Sequence, residues 1–139
     1  MTQGFVSVET PAGAYSAYLC EPGRADAPAV LVLQEIFGVT PFVKGVCEWL
    51  ARNGFIALAP DLFWRQQPGV VLDESDRDTA GKLMSGLDEE LAIEDCNAAL
   101  AYLRSLTTSQ GSTAALGYCL GGKFAYLLAA RGSVDAAVS

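Results

Sequence analysis

The chain has 139 residues, of which 51% are hydrophobic and 18% charged, and its formal charge is −7. That length suits one domain with a buried core, and the composition excludes a disordered polymer. The negative charge argues against a nucleic-acid partner, which would need a basic surface, and no apolar run approaches the roughly 18–20 residues of a membrane span.

Residues 3–10 and 14–20 are β-like runs around Pro11-Ala12-Gly13 and read as a hairpin. After the polar turn Glu21 to Pro28 comes Ala29-Val30-Leu31-Val32-Leu33, a continuous apolar run suited to a strand buried on both faces. Thr40-Pro41 opens a helix in the N-cap and N1 arrangement, and Asn53-Gly54 closes it. Phe55 to Ala59 is the next buried strand, stopped by Pro60. Residues 61–81 form a polar excursion with turn signals at Gln67-Pro68-Gly69 and at Asp73 to Asp78.

A helix is expected from about Leu87 to Leu106, with Ile93, Cys96, Leu100 and Leu103 on its core face and Asp88, Glu89 and Glu90 in its first turn. Thr113 to Tyr118 reads as a strand, Leu120 to Arg131 as a helix capped by Gly132, and Val134 to Val138 as the start of another strand. A hairpin followed by β-α-β-α-β-α-β implies a mainly parallel sheet with helices on both faces. Read this way, residues 1–139 are part of a single α/β domain that ends inside a strand, and a truncated polypeptide is expected.

Three features bear on location and chemistry. Met1-Thr2-Gln3-Gly4 has neither the basic nor the apolar region of a secretory signal. Cys20, Cys47, Cys96 and Cys119 contain no CxxC pair, and the first three read as free thiols in a reducing cytoplasm. Histidine is absent, so a mechanism that needs imidazole cannot be completed within these residues.

The strongest chemical signal is Gly117-Tyr118-Cys119-Leu120-Gly121-Gly122, between a strand and a helix. It fits the nucleophile elbow G-x-nucleophile-x-G, in which a tight turn demands small residues two before and two after the nucleophile. The turn sets the sulfur at a helix N-terminus, where the dipole favours an anion, and aims the Leu120 amide into the site as an oxyanion donor. On this segment alone, an inert buried thiol fits as well as a nucleophile. Gly117 to Lys123 also satisfies the phosphate-loop pattern G-x-x-x-x-G-K, but Phe124 stands where magnesium binding needs Ser or Thr.

A second signal, Gln34-Glu35-Ile36-Phe37-Gly38, closes the first parallel strand. Ligands bind beyond the carboxyl ends of such strands, and Cys119 sits at one too. Glu35 alone reads as a solvated carboxylate. If the strands are neighbours, Glu35 and Cys119 come within reach, and the backbone after Glu35 supplies a second oxyanion donor.

Gln34 to Val39, Pro60-Asp61-Leu62 with Arg65 to Gly69, and Gly117 to Gly122 together resemble the dienelactone hydrolases, or carboxymethylenebutenolidases, along essentially the whole chain. The resemblance implies an α/β-hydrolase fold and hydrolysis of an ester or cyclic enol-lactone, of the dienelactone to maleylacetate type, through a cysteine acyl-enzyme. Cys119 is then the nucleophile, and the amides of Ile36 and Leu120 form the oxyanion hole. Glu35 holds the resting thiol and accepts its proton. Phe37 and Arg77 contact a substrate that carries a carboxylate, although Arg77 reads equally as an exposed charge in an acidic loop.

The family's triad Asp and His and a second arginine have no counterpart in these residues. Lys82, Leu83 and Met84 stand where relatives carry pocket aromatics, and Phe63 replaces a common tyrosine. No cofactor or metal is expected, and the intact protein is expected to be a cytoplasmic monomer. A non-enzymatic binding protein on the same fold is the alternative reading.

Overall fold

Alternation along the central strands explains how the chain builds two layers of helix around one sheet. In the computed structural model, which describes residues 1–108 and 113–139, β3 (Ala29–Leu33) is buried along its whole length. Its odd residues Ala29, Leu31 and Leu33 enter one core cluster, and Val30 and Val32 enter another on the opposite face. β4 (Ile56–Pro60) repeats the pattern, with Ile56 and Leu58 in the first cluster and Ala57 and Ala59 in the second. Successive side chains point to opposite faces, so apolar residues at every position require cover on both sides.

The hairpin is β1 (Thr2–Thr10) and β2 (Gly13–Glu21), paired antiparallel with Thr10 opposite Gly13. The sheet order is β1-β2-β4-β3-β5-β6. β2 runs antiparallel to β4, whereas β4, β3, β5 (Thr113–Gly117) and β6 (Ala136–Val138) are mutually parallel. Three helices cover the sheet. α1 (Pro41–Arg52) packs Val43, Cys47 and Leu50 on one face. α3 (Glu89–Leu106) and α4 (Leu120–Ala130) pack on the other, through residues that include Ile93, Cys96, Leu100, Phe124 and Leu128. This is the mainly parallel sheet with helices on both faces expected from the element order, and it fits the α/β-hydrolase fold that the resemblance implies; no helix among the described residues is long and apolar enough to cross a membrane.

Three boundaries depart from the sequence reading. Pro60 belongs to β4 opposite Ala17, because a proline at the last position owes the ladder no amide proton. α3 begins at Glu89, since Asp88 caps it by accepting a hydrogen bond from the Leu91 amide at 3.0 Å. β6 begins only at Ala136; Asp135 is used instead to clasp Thr113, donating its amide to the Thr113 carbonyl and accepting the Thr113 amide on its carboxylate.

The excursion also holds a helix that its composition does not announce. α2 (Arg77–Ser85) buries only Ala80 and Leu83, too few for an apolar stripe. It follows a 3-10 turn over Glu74–Asp76, which Asp73 caps with its carboxylate on the Ser75 amide while its own amide donates to Asp76.

Candidate active site

The elbow is built by backbone collisions that only glycine avoids. A Cβ on Gly117 would lie 2.0 Å from the Gly121 carbonyl oxygen, and one on Gly121 would lie 2.3 Å from the Leu33 carbonyl oxygen. β5 and α4 are therefore joined by two residues only, Tyr118 and Cys119, and the helix is pressed onto the end of β3. Cys119 adopts φ +53°, the single positive φ among the described non-glycine residues. Its carbonyl accepts the Gly122 amide at 2.9 Å to start α4. Its side chain caps nothing and is exposed, unlike Cys20, Cys47 and Cys96, which are all buried.

This geometry disposes of a phosphate loop at Gly117 to Lys123. Such a loop must arch between strand and helix to cradle an anion with successive amides. Here Gly121, Gly122 and Lys123 already lie inside α4, so no arch exists.

Parallel pairing sets Leu33 opposite Gly117, so the chain leaves β3 for Glu35 and β5 for Cys119 at the same edge of the layer. The turn after β3 is held from three directions. Buried Gln34 donates to the Glu35 carbonyl at 2.9 Å and accepts the Leu62 amide at 2.9 Å, binding this turn to the start of the excursion. The Leu72 amide donates to the Phe37 carbonyl at 2.8 Å, and Gly38 pairs with Val71. Gly38 has φ +87°, and a Cβ there would lie 2.0 Å from the Val70 carbonyl oxygen.

Glu35, Ile36 and Phe37 are half-buried. Neither the Ile36 amide nor the Leu120 amide donates to any acceptor among the described residues. The Glu35 carboxylate likewise makes no hydrogen bond there, with Cys119 or any other group.

Arg77 pairs within its own segment. It is exposed at the start of α2, and its guanidinium donates twice to Glu74, at 2.6 and 3.1 Å.

Beside Cys119 lies a cavity of about 340 Å³. Met84 and Leu87 form one wall, Leu120 and Phe124 another, and Glu89 and Lys123 complete it. The first-turn acid of α3 and the first-turn lysine of α4 meet at 2.6 Å. Leu120 also packs on Phe63, Val70 and Leu83, a small cluster beneath the excursion, so the residue after the nucleophile ties the elbow to the segment that walls the cavity.

Chain and fold find matches of one kind. The model of the Dienelactone hydrolase family matches residues 15–139. The chain belongs to the dienelactone hydrolase family. It is 40% identical to Carboxymethylenebutenolidase 1 of Cupriavidus pinatubonensis, over 99% of this chain and 60% of that protein. A carboxymethylenebutenolidase of Pseudomonas putida is 41% identical over the same shares. The chain thus spans about three-fifths of the length of these dienelactone hydrolase relatives. Among solved structures, a dienelactone hydrolase from Klebsiella pneumoniae superposes with a TM-score of 0.85 at 28% identity, covering 98% of this chain and 57% of that one. A dienelactone hydrolase-like promiscuous phosphotriesterase from metagenomic libraries gives 0.74 at 26% identity, over 95% and 55%.

Two residues to which the motifs assign no role bear on the site. Gln34 is only the first letter of a motif in the sequence, yet it is the joint between the turn after β3 and the start of the excursion. Lys123 was legible only as part of a phosphate-loop pattern. Its place in the Cys119 cavity depends on α3 arriving alongside α4, and no local pattern records that.

Proposed function

We propose that this chain supplies the nucleophile and oxyanion half of a hydrolase acting on a carboxylic ester or enol-lactone. One observation carries the reading: the single exposed thiol is also, among the described residues, the single strained non-glycine one, and it sits at a strand end beside the Glu35 turn. Backbone strain held by surrounding packing concentrates at functional sites.

In this reading the Cys119 sulfur attacks the carbonyl carbon, and the amides of Ile36 and Leu120 stabilise the oxyanion that forms. The carbon–oxygen bond breaks, the alcohol or enol oxygen leaves with a proton, and a thioester remains on Cys119. Water hydrolyses it to the carboxylic acid and restores the thiol. Glu35 accepts the thiol proton once substrate brings the two groups together. Phe37 borders the substrate. An imidazole that activates the water comes from outside these residues, which hold no histidine.

Acylation can therefore be followed on the chain alone. With p-nitrophenyl acetate we expect one equivalent of p-nitrophenolate and one acetyl group on Cys119, formed faster than on the same thiol in urea, and no sustained turnover. Peptide mass mapping locates the group, and Cys119→Ala abolishes the burst. Acylation no faster than in urea would overturn the reading and favour a binding protein on this fold. The total lack of imidazole is the observation that keeps that second reading alive.

A further inference from the structure

Among the described residues, the only charged groups lining the Cys119 cavity are Lys123 and Glu89. Lys123 lies one helical turn beyond Cys119 on α4, so both face the same end of the helix. With its Glu89 partner it forms a pair whose side chains are 57% and 43% exposed. A pair this wet contributes little net free energy, so its carboxylate can be exchanged for another at small cost.

Nor is the pair needed to hold α4 against α3. Phe124 and Leu128 of α4 and Ile93, Cys96 and Leu100 of α3 already share one buried core cluster. Arg77 is engaged by Glu74, and it does not line the Cys119 cavity. The remaining walls are apolar, so an anionic group entering the cavity finds one partner.

We infer that Lys123 determines specificity at this site: it exchanges Glu89 for a carboxylate on the substrate, remote from the carbonyl that Cys119 attacks. Glu89 is the resident counter-ion, and it repels anions that cannot reach Lys123. The inference rests on the reading of Cys119 as an acyl-accepting nucleophile. It also accounts for how a chain of charge −7 admits an anion: a local cation offsets the opposing field within the cavity.

Alkylation of Cys119 by iodoacetate and by iodoacetamide compares an anionic with a neutral reagent at the same sulfur, without acyl chemistry. Because the other three thiols are buried, only Cys119 reports. The anionic-to-neutral rate ratio should fall about two- to fivefold in Lys123→Gln, rise by a similar factor in Glu89→Gln, and stay near wild type in Lys123→Arg. Added salt should compress these differences.

Iodoacetamide rates that hold constant across the variants show that the elbow is intact. If Lys123→Gln disturbs the fold, Glu89→Gln tests the same exchange alone. A ratio unmoved by either neutral substitution overturns the inference. Acylation by p-nitrophenyl acetate, read in parallel, reports separately on the nucleophile: failure there with a shifted ratio rejects the hydrolase reading and leaves an anion-selective pocket.

Discussion

Cys119 holds φ +53° and ψ −115°, a region that L-residues enter at a cost of about 1–3 kcal/mol. Glycine escapes that cost but loses about 0.5–1 kcal/mol to the freedom of its unfolded chain. Cys119→Gly should therefore be more stable than Cys119→Ala by about 1 kcal/mol. Urea unfolding of the two variants checks this; an alanine variant equal to or above the glycine one would show a relaxed elbow. The pattern Gly117-x-Cys119-x-Gly121 made the elbow legible because tight turns exclude side chains. What it could not show is the atoms involved. Gly121 is crowded by the carbonyl oxygens of Leu33 and Gln34, almost ninety positions earlier, so this glycine is as much a packing residue between two strand ends as a turn residue.

Between elements, the attachment of the excursion to α3 runs through one buried carboxylate. Asp95 accepts two hydrogen bonds from Arg65, at 2.9 and 3.0 Å, and one from the Trp64 indole at 2.8 Å. Its carbonyl accepts the Tyr15 hydroxyl at 2.6 Å, and the Tyr15 and Trp64 rings stack 5.4 Å apart. The Asp95 hydrogen bond holds the Arg65 guanidinium even further above its ordinary value. Removing the cation leaves a carboxylate that is only 1% exposed without its counter-charge, at a cost of about 3–5 kcal/mol. Arg65→Met should lower stability by that amount, with the loss seen in urea unfolding followed by Trp64 emission. A loss under about 1 kcal/mol, the range of exposed pairs, would mean that water reaches Asp95.

Of this cluster only Arg65 stood out in the sequence, as the first residue of a motif. Asp95 lies within a helix whose other inward residues are apolar, and nothing marks it as the partner of an arginine thirty positions earlier. α2 escaped for a different reason: it buries only Ala80 and Leu83, too few for an apolar stripe. The long apolar strands and the α3 stripe of Ile93, Cys96, Leu100 and Leu103 were legible, because burial on both sheet faces or on one helix face leaves a periodic trace.

Across the whole molecule, both faces of the sheet bury thiols: Cys20 and Cys47 under α1, Cys96 under α3. Burial raises all three, Cys20 to about 11 and the other two further. Nearby carboxylates, Glu48 for the first two and Asp95 for Cys96, add to the rise. A folded value above the unfolded one means that the neutral thiol favours the fold. Its contribution is complete below the unfolded thiol value of about 8.5 and is lost as pH rises through the folded value. Each thiol can remove up to about 1.4 kcal/mol per pH unit over that window. Stability should therefore hold level from about pH 7 to 8.5 and then fall with increasing slope. Tyr15, whose hydroxyl burial also raises, adds to the fall above about pH 10. Urea midpoints across this range test the expectation. Cys20→Ala should start from a lower stability but show a shallower slope, since one titrating group is gone. A wild-type midpoint that stayed level to about pH 10 would mean that these thiols meet water in solution, and that the two cores are looser than their packing indicates.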